Sequence, residues 1–302
     1  MSENGRHQNG SDAEQRLAHL EYVIAAQEPG MDYSDFFVHQ LDDEDPRVRA
    51  LAMEGLWGYA DPHLIDRLIE MAEQDPSPLV RGKAISTLGA FIYLGEMADY
   101  EFDWGPMTEM MREDELSRED FERVKAYLLD IYQDERHTLD ERRFALEALS
   151  FHSDPKIAEM IEEAYHHSER AMKISAVFAM GRNGRTIWDE IIERELYSED
   201  QEIQLEAIRA AGQLGLVNLG VDLLRLTHSD DRDIMLEAIE ALGQTGWEGA
   251  FERLEELTLD PDAEIAEVAE NALDDWLWIS EMQRQGDELD EWDDGTEDQD
   301  DW

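Results

Sequence analysis

Residues 203–212 read IQLEAIRAAG and residues 234–243 read IMLEAIEALG, one phrase written twice with a displacement of 31 residues. Each copy has an apolar residue, an Ala four places on, a small residue three places further and a closing Gly. A fixed period of roughly 20–50 residues marks a solenoid, in which each unit buries its apolar face only against its neighbours. With the small Ala as origin, anchors recur at Ala52, Ala84, Ala145, Ala176, Ala207, Ala238 and Ala269, at intervals of 32, 61, 31, 31, 31 and 31. The one long interval is close to two periods, so a repeat-sized insertion is expected between the second and third units.

A shorter amphipathic segment precedes the anchor helix in most units, as in residues 63–72, 157–165, 187–196 and 250–258. Asp-Pro pairs at Asp61-Pro62, Asp75-Pro76, Asp154-Pro155 and Asp260-Pro261 supply a capping carboxylate and a first-turn proline. No stretch alternates convincingly with period two, so strands are not expected. The first two units read DEDPRVRALAMEGLWG (43–58) and QDPSPLVRGKAISTLG (74–89). This phrase resembles the HEAT-repeat family, in particular its short bacterial, phycobilin-lyase-like type, over roughly residues 33–280. The resemblance implies an all-α, right-handed α-solenoid of about seven HEAT-type helical hairpins. It also implies an inner Arg that joins a ladder with turn aspartates. That position is Arg49, Arg81 and Arg142, becomes Lys173, and is then Gln204, Met235 and Ala266.

Helical periodicity assigns the faces of each anchor helix. Val48/Ala52/Leu56, Val80/Ala84/Leu88 and Ile234/Ala238/Leu242 are expected to form the core. Ala148, Ala179, Ala210, Ala241 and Ala272 should allow close helix approach. The opposite stripe lies one place before and two and six places after the anchor. It is polar in the last units (Glu206/Arg209/Gln213 and Glu237/Glu240/Gln244; Val268/Asn271/Asp275 less cleanly). In the third and fourth units it carries Phe144, Phe151 and Phe178, with Arg182 beside them. Just before them, residues 95–117 (GEMADYEFDWGPMTEMMREDELS) hold Trp104, Met107, Met110 and Met111. The insertion either folds over the phenylalanines to complete a local core or forms an adaptable surface that grips an apolar helix or peptide. The candidate partner-binding set is therefore these three phenylalanines and Arg182 together with the Trp and three Met of the insertion.

The ends are read as follows. Residues 1–10 are expected to be disordered, and Ser11-Asp12-Ala13-Glu14 to cap a helix covering the first repeat over 11–30. The solenoid spans 31–284, with Trp276 and Ile279 closing its last repeat. Residues 285–302 form a disordered acidic tail, with ten acids and no base from Gly286 onward. The tail either solvates the chain or, through Leu289, Trp292 and Trp302, acts as a linear motif.

The chain has 75 acidic against 25 basic side chains and a net charge of −50. Such a surface repels nucleic-acid phosphates and anionic membranes and favours basic proteins, cations or simple solubility. Its cations are 21 Arg and 4 Lys, a bias found in salt-adapted proteins and in acidic proteins of high-GC genomes. No cysteine is present, which excludes disulfides and thiolate chemistry. The N-terminus has no apolar signal region and no run approaches about 18 apolar residues, so a cytoplasmic protein is expected. His166 and His167 are adjacent and diverge by about 100° on a helix, so no metal site is expected. A di-iron hydroxylase built on HEAT repeats uses His-Glu dipeptides, and this chain has none. No phosphate loop or nucleophile elbow occurs, and no cofactor is expected. The sequence reads as a non-catalytic scaffold that binds another protein on the concave solenoid face. The alternatives are a bilin-lyase-like or other enzyme accessory subunit holding a planar ligand, and an acidic chaperone-like binder of a basic protein.

Overall fold

The computed structural model describes residues 3–27, 31–98 and 116–293, with side chains over 12–27, 31–97 and 116–284. Among these residues there are fifteen α-helices, several short 3-10 turns and no strand. The chain is an α-solenoid of helical hairpins and divides into two compact units, Met1–Met160 and Ile161–Trp302. In the first unit lie α1 (Glu3–Ala25), α2 (Ser34–Gln40), α3 (Pro46–Gly55), α4 (Ile65–Gln74), α5 (Pro78–Ala98), α6 (Arg118–Gln133) and α7 (Leu139–Leu149). The helix α8 (Pro155–Tyr165) spans the division. The second unit holds α9 (Arg170–Asn183), α10 (Asp189–Glu195), α11 (Gln201–Gln213), α12 (Gly220–Leu226), α13 (Arg232–Gln244), α14 (Phe251–Leu257) and α15 (Ala263–Asp293). The anchor helices are the odd-numbered ones from α3 to α15.

Helix starts follow the aspartates. Asp61 and Asp154 accept the N–H two residues on, at 2.9 Å, with Pro62 and Pro155 opening the helical turn as expected. Asp200 and Asp231 make this bond for α11 and α13. Asp75 and Asp260 make the same bond at 2.8 and 2.9 Å but within the preceding turn: α5 begins only at Pro78 and α15 at Ala263, behind Asp262, so Pro76 and Pro261 fall outside the helices. At α7 the full capping box is present, with Thr138 and Glu141 exchanging bonds. The core sits between each anchor helix and the helix before it. Val48, Ala52, Leu56, Val80, Ala84 and Leu88 are buried in the first unit with Leu68 of α4 and Leu128 of α6. Ile234, Ala238 and Leu242 are buried in the second with Leu223 and Leu254.

Close approach of neighbouring anchor helices has a visible cause. A Cβ on Gly212 would lie 2.8 Å from the Cα of Ala241, and one on Gly243 would lie 2.3 Å from the carbonyl oxygen of Ala272. Gly181 meets Ala210 in the same way, and Gly89 meets Ala148 in the first unit. The repeated Gly therefore answers the repeated Ala of the next helix.

Three differences from the sequence reading concern boundaries. The first helix begins at Glu3 rather than at Ser11, because extending an existing helix costs far less than nucleating one. For the same reason α15 continues through Gly286 to Asp293, nine residues into the stretch expected to be an unstructured tail. Around the long interval, Gly95–Met97 belong to α5, a helix of 21 residues, and Ser117 caps α6, one of 16. Part of the extra length thus lengthens the flanking helices; residues 99–115 lie outside the described residues, as do 294–302.

Candidate functional site

In the first unit, Phe144 stands on α7 and Phe151 just past its end, and the two occupy separate places beside α5. Phe144 lies on Gly82, where a Cβ would come within 2.6 Å of its ring. Beside it is a cavity of about 520 Å³ between the starts of α5 and α7, lined by Pro78, Leu79, Gly82, Ser86, Thr138 and Phe144 among others. Phe151 joins Trp57 and Tyr93, with ring centroids 5.6 and 5.5 Å away. Trp57 in turn rests on Gly89. The face continues along α5 through Tyr93 (47% exposed), Leu94 (38%) and Met97 (46%). The sequence stripe found the phenylalanines but missed Trp57 and Tyr93, which sit five and nine places after their anchors. Extension of α5 past the usual repeat length brings Tyr93 onto this face.

A polar cluster closes the same region. Glu96 accepts bonds from His152 Nδ1 (2.5 Å) and from the Ser153 N–H (3.1 Å). Burial pushes the Glu96 carboxyl up, but these two bonds outweigh it and hold the group below its ordinary value. Lys125 Nζ lies 3.4 Å from His152 Nε2, and Phe121 packs edge-on against the imidazole. The arrangement ties the end of α5 to the loop after α7.

In the second unit, Phe178 carries the Arg182 guanidinium over its ring at 4.5 Å. The neighbouring stripe is acidic. Arg209 pairs with Glu206 at 2.7 Å and with Glu237. Burial pushes the Glu206 carboxyl above its ordinary value, against the pull of Arg209. Glu240 is raised likewise, by burial and then by repulsion from Glu237 and Asp275. Of the remaining candidates, Trp104, Met107, Met110 and Met111 lie outside the described residues.

The ladder positions act individually rather than as a uniform series. Arg49 holds Asp75 with two bonds of 2.9 and 2.8 Å and also donates to the Asp43 carbonyl. Arg81 bonds Glu141 at 2.9 Å and the Asp75 carbonyl. Arg142 donates to the Tyr132 carbonyl, and Lys173 pairs with Glu195 at 3.1 Å. Glu195 is raised by burial, yet the Tyr165 hydroxyl and Lys173 bring it below its ordinary value. Gln204 keeps half the role, donating to the Leu196 carbonyl at 2.8 Å. A second ladder went unread in the sequence. Arg170, Gln201 and Arg232, six places before their anchors, bond the capping aspartates Asp200, Asp231 and Asp262 of the following repeats. Period 31 in the charges alone would have revealed it.

Among the described residues no group of three or more His, Asp or Glu is placed to hold a metal ion. No described helix is long and apolar enough to cross a membrane. The model for HEAT repeats matches residues 34–101 and 189–274, just over half of the chain. The chain belongs to the HEAT-repeat family. No curated protein matches the sequence. Solved structures similar to the chain include an engineered protein, at 18% identity and TM-score 0.41, covering 80% of this chain and 68% of that one. The complex of CpcE and CpcF of phycocyanin lyase from Nostoc sp. PCC7120 is similar at 17% identity and TM-score 0.48, over 83% and 97% of the two chains. Human deoxyhypusine hydroxylase in complex with glycerol is similar at 18% identity and TM-score 0.33, over 80% and 95%.

Proposed function

We propose that this HEAT-repeat protein is a non-catalytic scaffold that binds another protein on the exposed stripe of its anchor helices. One observation carries the reading: the aromatic face of the first unit, where Trp57, Phe151 and Tyr93 pack on one another yet stay partly open to solvent. Apolar surface left open on an otherwise acidic, well-packed repeat marks a contact site. Affinity purification from native lysate tests it, comparing the full chain with a Trp57→Ala/Tyr93→Ala variant whose fold is checked by circular dichroism. Loss of specific partners from the variant is expected; an identical partner set would remove this face from the function.

A second reading, an acidic binder of a basic protein, is supported by the second unit. There Glu206, Glu237, Glu240 and Asp275 share few cations, and Glu206 and Glu240 are held above their ordinary protonation range. Basic side chains of a partner would supply the missing counter-charge. Recovery of basic partners that falls steeply with salt, and survives Trp57→Ala/Tyr93→Ala, favours this reading over the first.

A further inference from the structure

His152, in the loop between α7 and α8, stands between two groups of opposite charge. Its Nδ1 lies 2.5 Å from a Glu96 carboxylate oxygen at the end of α5, and its Nε2 lies 3.4 Å from Lys125 Nζ near the start of α6. The side chains of His152, Glu96 and Lys125 are largely buried, at 16%, 14% and 18% exposure. A carboxylate only accepts hydrogen bonds and an ammonium only donates them. Both contacts are therefore made at once by one form of the ring alone, a neutral imidazole with its proton on Nδ1. The other oxygen of Glu96 takes the Ser153 N–H, and the two donors hold the group as a carboxylate against the effect of burial. Glu122, earlier on α6, holds the Lys125 ammonium at 3.0 Å and is half exposed. Asp154, in the loop itself, accepts the Lys156 N–H. The charged groups that face the imidazole are thus Glu96 from α5 and Lys125 from α6, with Glu122 behind Lys125 and Asp154 beside the ring in sequence.

A second proton on this ring goes to Nε2. It removes the acceptor and sets an imidazolium 3.4 Å from an ammonium, where burial limits screening by water and salt. Lys125 can turn away without moving α6, because Glu122 already holds it from the same helix. Glu96 meanwhile faces a full opposite charge. We propose that His152 is a proton-operated latch: neutral, it fastens the first turns of α6 to the loop after α7; protonated, it releases Lys125 and holds α5 alone. Histidine is the side chain whose ordinary range places such a change between about pH 8 and 5. Phe121 still packs on the ring, and the buried Val124, Leu128 and Ile131 keep α6 in place, so the change is a loosening and not an unfolding. The loop that α6 lets go carries Phe151, the ring packed on Trp57 and Tyr93. The latch stands independently of the scaffold reading.

Long-range proton–nitrogen NMR of the imidazoles reads the ring directly in the full chain, with His152→Gln to identify its signals. At about pH 8 His152 should carry its proton on Nδ1, and at about pH 5 a proton on both nitrogens. Amide-exchange protection factors, corrected for the intrinsic effect of pH, should fall over residues 121–126 across this range. The fall should be about three- to tenfold, the size expected of one partly buried charged hydrogen bond. Protection in α4, in the same unit, should not fall. Lys125→Met, its fold checked by circular dichroism, has no ammonium to drive off, and its residues 121–126 should keep one level of protection throughout. A proton on Nε2 at the higher pH, or a ring that takes up no second proton by the lower, overturns the latch without recourse to Lys125→Met. A fall at residues 121–126 as large in Lys125→Met as in the parent overturns it too, because the ammonium would then play no part. An equal fall in α4 and α6 would be the response of the whole unit and counts against the latch in the same way.

Discussion

Single residues carry most of the repeat geometry, and Gly243 shows how. Replacing a helical Gly by Ala ordinarily stabilises by about 1 kcal/mol through backbone entropy. At Gly243 the new methyl would meet the Ala272 carbonyl at 2.3 Å, and backbone on a packed helix cannot swing aside. Overpacking of this kind costs about 1–3 kcal/mol, so Gly243→Ala should lower the urea midpoint, whereas Gly58→Ala, with nothing within 4 Å, should not. Equal stability of Gly243→Ala and the parent would refute the close-approach account. Arg49 works through charge instead. Its guanidinium and the Asp75 carboxylate are only 12% and 8% exposed, so deletion strands a largely buried carboxylate. Arg49→Ala should cost about 3 kcal/mol, and Arg49→Lys an intermediate amount, because an ammonium cannot reproduce the forked contact and the Asp43 carbonyl bond together.

Elements differ in what completes them. Among the described residues no repeat follows the last anchor helix, and α15 is packed against its own hairpin by Trp276, whose indole N–H donates to the Trp247 carbonyl at 2.8 Å while its ring lies on Phe251. Trp276→Ala should cost about 2–4 kcal/mol and show first as faster amide exchange in α14 and α15, with α11 unchanged. If exchange rises evenly through the second unit, the cap is not local. The periodic parts of these elements were legible in the sequence, because Ala anchors, apolar neighbours and capping aspartates each answer to one local rule. Helix ends were less so: Ser11 reads as a cap only if the chain before it is not already helical. The site was legible in part. Phe144 and Phe151 announced themselves by departing from a polar stripe, while Trp57 and Tyr93 depend on where α3 ends and how far α5 continues, which no repeat register contains. The Arg170–Asp200 and Arg232–Asp262 contacts were missed because each acidic residue is inconspicuous among 75.

At the scale of the whole molecule, net charge and individual carboxylates push stability in opposite directions as pH falls. Asp262 is held down to about 2 by Arg232, and Asp200 is lowered by Arg170. Folded-state values below those of the unfolded chain, near 3.9, mean stability that is present above about pH 4 and lost between about 4 and 2. Glu206 and Glu240 are raised, chiefly by burial. The folded chain therefore takes up protons at these two sites before the unfolded chain does, and stability grows as pH drops from neutrality toward their folded values. Relief of self-repulsion in a chain of charge −50 acts in the same direction. Melting temperature should accordingly rise from pH 8 toward the mildly acidic range and fall again below pH 4. Salt separates the two causes of the rise. High ionic strength screens general repulsion among exposed charges but reaches half-buried groups far less. At roughly 1 M salt, where the Debye length is about 3 Å, the remaining rise should belong mainly to the half-buried Glu206, since Glu240 is exposed and more fully screened. Glu206→Gln/Glu240→Gln should then melt higher than the parent at pH 7.5 and show almost no rise on acidification. A double variant that keeps the full rise in high salt would place the titrating groups elsewhere on the chain.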